Sequence, residues 1–255
     1  MASTYVSEPA DGRNVRGIVV IIPDVFGWEF ISNRILADHY VEKGDFKVYL
    51  LDFMNGNAPP VSMLCNVQTA LAPGNIFTRL EASHAWHAHA LHAASVPLSS
   101  SRPSKTYPSV KGFFEQLRKE RGDQLSVGAA GFCWGYKHIV TLSHGVENAA
   151  TPLIDAALTA HPSFLSIPSD IEKIKVPVSF ACPEDDNQVT PPKIESIRSI
   201  VEKLPAASRG EVRVYENTGH GFAVRADLKV PDVAKQADGA EDQAVAWFHA
   251  QFKKP

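Results

Sequence analysis

A cysteine between two glycines is the first feature of this sequence that could do chemistry. Cys133 lies in Gly131-Phe-Cys-Trp-Gly135, after the strand-like run 125–130 and before the helix-like run 136–144. A nucleophile on a sharp strand-to-helix turn needs small neighbours, and the positive end of the following helix lowers the pKa of its thiol. The pattern therefore predicts a nucleophile, although taken alone it fits a buried cysteine in a tight turn equally well.

An acid and a base follow the cysteine in the chain. The predicted strand 176–182 leads into a loop that contains Asp185 and Asp186, and the predicted strand 211–216 is followed by Gly-His220-Gly. On an α/β-hydrolase sheet the order along the chain is nucleophile, acid, histidine. We therefore predict a catalytic triad of Cys133, one of the two aspartates, and His220, in which the carboxylate orients the imidazole.

Alternating strands and helices must position these groups. Short aliphatic or β-branched runs that are bounded by turn residues are typical of strands, and runs with apolar residues at helical spacing are typical of helices. The predicted strands are 15–23, 46–51, 125–130, 154–159, 176–182 and 211–216, and the predicted helices include 31–43, 136–144, 192–204 and 240–252. This alternation predicts an α/β fold, a mostly parallel sheet with helices on both faces, in one domain spanning 1–255.

One long excursion interrupts the alternation at 54–108. It contains a loop over 54–75 with Asn-Gly, Pro-Pro and Pro-Gly pairs, a predicted helix over 76–94, and a Pro/Ser-rich connection over 97–108. Long connections on a compact core are often functional. The excursion is predicted to be either a cap over the site or a surface insertion. Phe77 and Trp86 either line a pocket under it or belong to the core.

Composition excludes several function classes. The 255 residues are 44% hydrophobic and 21% charged, with a formal net charge of −3, which argues against a nucleic-acid partner. No apolar run approaches the roughly 20 residues of a membrane helix. Three scattered cysteines without a secretory signal predict free thiols in a reducing compartment, so we expect a cytoplasmic protein, monomeric or homodimeric.

A histidine-rich stretch invites a metal-site interpretation. It holds four histidines, namely His84, His87, His89 and His92. No acidic or cysteine ligand accompanies them at a recognised metal spacing. We therefore expect no metal and no cofactor, and interpret the stretch as a cap or surface helix.

Five motifs together resemble a known family, the dienelactone hydrolases, over about residues 15–250. These are α/β-hydrolases with a Cys-His-Asp triad, and the Asp-Val-Phe-Gly-Trp-Glu-Phe segment is similar to their fungal branch. The motifs are Pro-Asp24-Val-Phe-Gly27, Gly-Phe-Cys133-Trp-Gly, Ala160-His-Pro-Ser-Phe164, Pro-Glu-Asp-Asp186-Asn-Gln-Val and Gly-His220-Gly-Phe-Ala.

The resemblance implies roles for the catalytic residues. Aligning the family pattern on Val189 selects Asp186 as the acid, with Asp185 as the alternative if the loop register slips by one residue. The oxyanion hole would use the backbone N–H of Trp134, next to the nucleophile, and that of Val25, in the first strand-to-helix loop.

The resemblance also implies a substrate-binding set. Arg225 is similar to an arginine that binds a substrate carboxylate, although it is displaced by one residue, and a solvated surface arginine is the alternative. Asp24 matches a glutamate that interacts with the cysteine in bacterial enzymes, but its shorter side chain fits pairing with a cation or a helix cap as well. His161 either lines the pocket or is satisfied by local hydrogen bonds, and Phe26 and Trp28 either line the pocket or belong to the core.

A cysteine nucleophile restricts the substrate. A thiolate is a good leaving group, so the tetrahedral intermediate collapses backwards unless the substrate's other group leaves easily. This favours enol lactones and activated esters, and the resemblance implies the same reaction. Two alternatives stay open: a thioesterase or acyltransferase of a biosynthetic pathway, and a non-catalytic thiol sensor or ligand-binding protein.

Overall fold

The structure is a computed structural model that describes residues 3–10, 15–61, 102–121, 124–145 and 151–253. The predicted helix 76–94, its four histidines, Phe77, Trp86 and most of the predicted 54–108 excursion lie outside the described residues. The cap prediction therefore stays a prediction.

Seven strands form one sheet in the order β1-β3-β2-β4-β5-β6-β7. β1 pairs with β3 in the antiparallel direction, and all other neighbours are parallel. The strands are β1 (Thr4–Ser7), β2 (Gly17–Ile22), β3 (Phe46–Leu51), β4 (Val127–Phe132), β5 (Ala156–Ala160), β6 (Val178–Asp185) and β7 (Glu211–Gly219).

Helices cover both faces of this sheet. They are α1 (Ile31–Gly44), α2 (Pro103–Arg121), α3 (Tyr136–Ser143), α4 (Ser169–Glu172), α5 (Pro191–Lys203) and α6 (Pro231–Gln251). Residues of β2 alternate between two core layers: Ile18 and Val20 pack on the side of α2, α3 and α5, whereas Val19 and Ile21 pack on the side of α1 and α6. Every residue of β2 is buried, as expected for a parallel strand covered on both faces. The predicted α/β-hydrolase architecture is confirmed.

Two predicted elements differ from the structure because tertiary packing outweighs local signals. Residues 103–108 belong to α2 rather than to a connection, because the apolar face formed by Val110, Phe114 and Leu117 packs into the core and the helix continues through Pro108. Helix α6 begins nine residues before the predicted position 240. Gly239 interrupts the helical pattern in the sequence, but its carbonyl accepts a 2.8 Å hydrogen bond from the Tyr215 hydroxyl.

The parallel strands all end at the same edge of the sheet, and the loops that follow β2, β4, β5, β6 and β7 meet there. This edge is the usual location of ligand sites in open α/β sheets.

None of the described helices is both long enough and apolar enough to cross a membrane.

Candidate active site

Cys133 stands on a strained turn between β4 and α3. Its φ angle is +49°, a left-handed conformation that side chains rarely adopt, and a short 3-10 helix over Cys133–Gly135 joins the two elements. The flanking glycines are required by close packing. A Cβ at Gly131 would lie 2.2 Å from Ile139, and one at Gly135 would lie 2.2 Å from the carbonyl oxygen of Ile22. The sequence pattern around the cysteine therefore reflects a crowded nucleophile elbow.

Strand pairing brings the acid and the base together. Asp185, the last residue of β6, pairs with Gly219, the last residue of β7, so Asp186 and His220, which follow the two strands, are neighbours. His220 Nδ1 lies 2.7 Å from Asp186 Oδ2, and both side chains are almost completely buried. Asp185 is exposed. The geometry therefore favours Asp186 as the partner of the histidine, in agreement with the alignment on Val189.

Neighbouring charges shift the Cys133 and His220 pKa values toward an ion pair. Burial raises the pKa of the Cys133 thiol, but the charge of His220, its hydrogen bond to the sulfur and the charge of Arg225 together bring that pKa below its ordinary value. Burial lowers the pKa of His220, yet the Cys133 thiolate and the hydrogen bond to Asp186 raise it to about 9. Both shifts act in the direction that favours a thiolate–imidazolium pair.

The loop after β5 adds two residues to the site. His161 is fully buried with φ +40°, its ring centroid is 5.1 Å from that of His220, and among the described residues neither of its ring nitrogens has a hydrogen-bond partner. Burial and the charges of His220 and Arg225 hold its pKa well below the usual value, so it is neutral. Ser163 Oγ lies 3.4 Å from Cys133 Sγ. Ser163 was not among the predicted site residues, although its place in the motif after β5 was a signal that could have identified it.

Asp24 and Arg225 form a buried ion pair across the site. The Arg225 Nη1 contacts the Asp24 carboxylate, whose other oxygen accepts a 3.1 Å hydrogen bond from the Phe26 N–H. Gly221 has φ +93°, and a Cβ there would lie 2.4 Å from Arg225 Nη2. Of the sequence-based alternatives, the structure therefore displays pairing of Asp24 with a cation, and Arg225 is buried rather than solvated.

The remaining predicted residues lie at different distances from the catalytic cluster. Phe26 is buried, and Arg225 Cζ stands 5.6 Å from its ring centroid. Trp28 is half-buried and lies instead under the guanidinium of Arg34, 4.8 Å from the ring centroid. Val25 lies three residues after the end of β2, the strand that neighbours β4.

Trp134 is buried, and its side chain packs against His138 of α3, with ring centroids 4.5 Å apart. Burial lowers the pKa of His138 to about 3. Within the described ranges, no three His, Cys, Asp or Glu side chains are grouped so that they could hold a metal ion.

A second buried cysteine lies near the site but outside the cluster. Cys182 is in β6, paired in register with Val214 of β7, and no part of its side chain is exposed. Burial and the charge of Asp186 raise the pKa of its thiol to about 12. Unlike Cys133, it is therefore a protonated core thiol.

The chain is similar to known proteins over nearly its whole length. A family model described as "Dienelactone hydrolase family" matches residues 2–252. The hydrolase tropI of Talaromyces stipitatus is 27% identical over 98% of this chain and 87% of its own length, and the hydrolase pyvD of Aspergillus violaceofuscus is 25% identical over the same shares. The crystal structure of a dienelactone hydrolase from Anabaena variabilis superposes with a TM-score of 0.62 at 13% identity, covering 99% of each chain, which supports the fold.

Proposed function

We propose that this protein cleaves activated esters or enol lactones through an acyl-enzyme on Cys133. The premise is that the chain belongs to the dienelactone hydrolase family and is a carboxylic ester hydrolase. The observation that carries this proposal is the arrangement around the sulfur. A cysteine on a strained elbow is coupled to a buried histidine, which is itself 2.7 Å from a buried carboxylate. Nucleophile, base and orienting acid are the parts that acyl transfer requires.

Acylation begins with the thiolate. Cys133 Sγ attacks the carbonyl carbon, and the carbonyl oxygen becomes an oxyanion. We assign its stabilisation to the backbone N–H groups of Val25 and Trp134, each worth about 3 kcal/mol by comparison with known oxyanion-hole donors. The bond to the leaving oxygen then breaks, and the Nε2–H of His220 donates its proton to that oxygen. Asp186 keeps the imidazole in the tautomer that this transfer needs.

Deacylation uses the same groups in reverse order. The neutral His220 takes a proton from water, and the water oxygen attacks the thioester carbon. When the second tetrahedral intermediate collapses, the carbon–sulfur bond breaks and the electron pair stays on Cys133. The acid product leaves, and the thiolate and imidazolium are restored.

The neighbouring residues suit a small substrate that carries a polar or anionic group. We propose that Arg225, held by Asp24, attracts a substrate carboxylate, since its Nε and Nη2 have no hydrogen-bond partner among the described residues. His161 has two similarly unpartnered ring nitrogens beside His220. Phe26 supplies an apolar surface next to Arg225, and Trp28 lies further out.

The leaving group decides which esters are suitable. Because thiolate departs readily, a substrate must have a leaving group at least as good, such as an enolate or an aryl oxide. We therefore propose enol lactones and aryl esters of small molecules as substrates, of the kind expected for the fungal branch of the family. The cytoplasmic location and the monomeric or homodimeric state stay predictions.

The experiment that tests this function measures hydrolysis of p-nitrophenyl acetate and of a dienelactone, with mass spectrometry of acid-quenched reactions. We expect wild type to turn over both esters and to carry an acyl adduct on Cys133. Cys133→Ala and His220→Ala should lose most of the rate. Cys182→Ala is the matched control, because it removes an equally buried sulfur from the same face of the sheet, and it should retain activity.

Other outcomes would select the alternatives. Transfer of the acyl group to an acceptor other than water would favour an acyltransferase. A wild-type protein that turns over neither ester, while peroxide readily oxidises Cys133, would favour a thiol sensor and contradict the proposed hydrolysis.

A further inference from the structure

Ser163 is attached directly to the nucleophile elbow. It lies three residues after the end of β5 and is 4% exposed. Its backbone N–H donates a 3.2 Å hydrogen bond to the carbonyl oxygen of Cys133. Because this bond joins the two backbones, the Ser163 side chain has a fixed position relative to the sulfur.

The hydroxyl of Ser163 reaches both reacting atoms. Its Oγ is 3.4 Å from Cys133 Sγ and 3.5 Å from His220 Nε2. Sulfur is larger than oxygen or nitrogen, so 3.4 Å is an ordinary separation for a hydrogen bond to sulfur, whereas 3.5 Å is long for one to nitrogen. In the described part of the chain the hydroxyl makes no other hydrogen bond, so its hydrogen is free to point at the sulfur.

We propose that Ser163 is a further catalytic residue, whose hydroxyl donates a hydrogen bond to the Cys133 thiolate and stabilises its negative charge. This inference rests on the proposed function, because it concerns the same sulfur. A thiolate accepts hydrogen bonds more strongly than a thiol, and hydrogen bonds to charged groups are the stronger kind. The bond therefore favours the charged form of Cys133 before acylation.

The same bond assists the second half of the reaction. In deacylation the carbon–sulfur bond breaks, the electron pair passes to Cys133, and the hydrogen bond from Ser163 strengthens as that charge develops. No proton leaves the serine, because His220 takes the proton of the attacking water. Ser163 thus acts on the sulfur, while His220 acts on the oxygen atoms.

The titration of Cys133 depends on several charges besides this hydroxyl. Titratable and charged side chains face the sulfur region from the loops after β2, β5, β6 and β7. They are Asp24, His161, Asp186, His220 and Arg225. Replacing Ser163 by alanine changes none of these charges, so a shift in the thiol pKa would report the hydroxyl itself.

The test measures the rate of iodoacetamide alkylation of Cys133 against pH, in a background that carries Cys65→Ser, together with kcat for p-nitrophenyl acetate. For Ser163→Ala we expect the apparent thiol pKa to rise by about one unit and kcat to fall about tenfold, the size of effect that loss of a hydrogen bond to a charged group produces. Ser163→Thr keeps a hydroxyl and should stay within about threefold of wild type.

A matched control separates this effect from a general loss of packing. Ser208 is also 4% exposed, but it precedes β7, at the opposite end of that strand from His220. Ser208→Ala should leave the alkylation profile and kcat unchanged. A merely structural role for Ser163 would alter stability without moving the thiol pKa.

The two proposals fail in different ways. If wild type forms no acyl adduct on Cys133, the proposed function is wrong. If wild type is acylated, but Ser163→Ala leaves the thiol pKa and kcat unchanged, or Ser163→Thr behaves like Ser163→Ala, the role of Ser163 is overturned while the hydrolase function stands.

Discussion

Cys133 and Cys182 are buried on the same apolar face of the sheet, and their side chains are 3% and 0% exposed. The pKa values of their thiols nevertheless depart in opposite directions from that of an ordinary cysteine. The pKa of Cys133 is lowered, and that of Cys182 is raised to about 12. Burial raises the pKa of both thiols, so it cannot produce the difference. The difference comes from the charges that each sulfur faces.

The two cysteines differ in where they lie along their strands. Cys133 follows the last residue of β4 on a strained turn, where a loop delivers His220 to the sulfur. Cys182 lies inside β6, where it is paired with Val214, and the negative charge of Asp186 raises the pKa of its thiol. Side chains from distant loops meet at strand ends, so the position of a buried cysteine along its strand decides which charges its thiol faces.

Alkylation should give the largest contrast between the two thiols. In the Cys65→Ser background at pH 8, a pKa of about 12 leaves about one Cys182 in 10⁴ as thiolate, so we expect Cys133 to react with iodoacetamide at least about 10³-fold faster. Peptide mass spectrometry of timed samples measures both rates. Comparable rates at the two cysteines in the folded protein would contradict the comparison.

Removing the Asp186 carboxylate should reduce the difference between the pKa values of the Cys133 and Cys182 thiols by acting on both. Asp186→Asn replaces the carboxylate that raises the pKa of His220 with a neutral amide, and it also removes the charge that raises the pKa of Cys182. We expect kcat/KM for p-nitrophenyl acetate to fall about 10²- to 10³-fold.

Asp185, the exposed neighbour of Asp186, provides the control for this prediction. Asp185→Asn should stay within about twofold of wild type, because that side chain faces solvent rather than His220. Loss of activity with Asp185→Asn and its retention with Asp186→Asn would reverse the assignment of the acid.

The smallest expected effect concerns Cys182 as a packing residue. Cys182→Ala should lower the free energy of unfolding by about 1–2 kcal/mol, because it leaves a small cavity between β6 and the covering helices. Urea denaturation measures the change, and kcat/KM measured on the same preparation should match wild type. A fall in kcat/KM at unchanged stability would show that the core thiol takes part in the reaction.

The cluster of Cys133, Asp186 and His220 could be predicted from the sequence because its residues have local signatures. The glycines around Cys133 and His220 and the chain order of cysteine, acid and histidine follow from steric and topological rules that act on neighbouring residues. The choice of Asp186 over Asp185 needed the resemblance to a family, since two adjacent aspartates look alike in a sequence. In the structure, the pairing of Asp185 with Gly219 supplies the physical reason.

The other features of the site and the exact helix boundaries could not be predicted, because they depend on contacts between residues that are distant in the sequence. Nothing near Asp24 in the sequence identifies its partner, which lies 201 positions away. The motif after β5 singles out Ser163, but its contact with Cys133 follows only once β5 is placed beside β4. Helices α2 and α6 were misjudged at Pro108 and Gly239, because local propensity disfavours a helix at positions that packing stabilises. Strand β1 was missed for a different reason: it is only four residues long and none of its residues is buried, so it carries no apolar run.

The ion pair between Asp24 and Arg225 has a consequence for how the protein is made. Translation adds about 5–20 residues per second, so the carboxylate emerges from the ribosome about 10 to 40 seconds before the guanidinium that will neutralise it. A buried charge without its partner is strongly destabilising, so the nascent end of β2 must stay hydrated during that interval. The growing chain therefore cannot assemble this ion pair early, and the pair can close only after Arg225 has been synthesised.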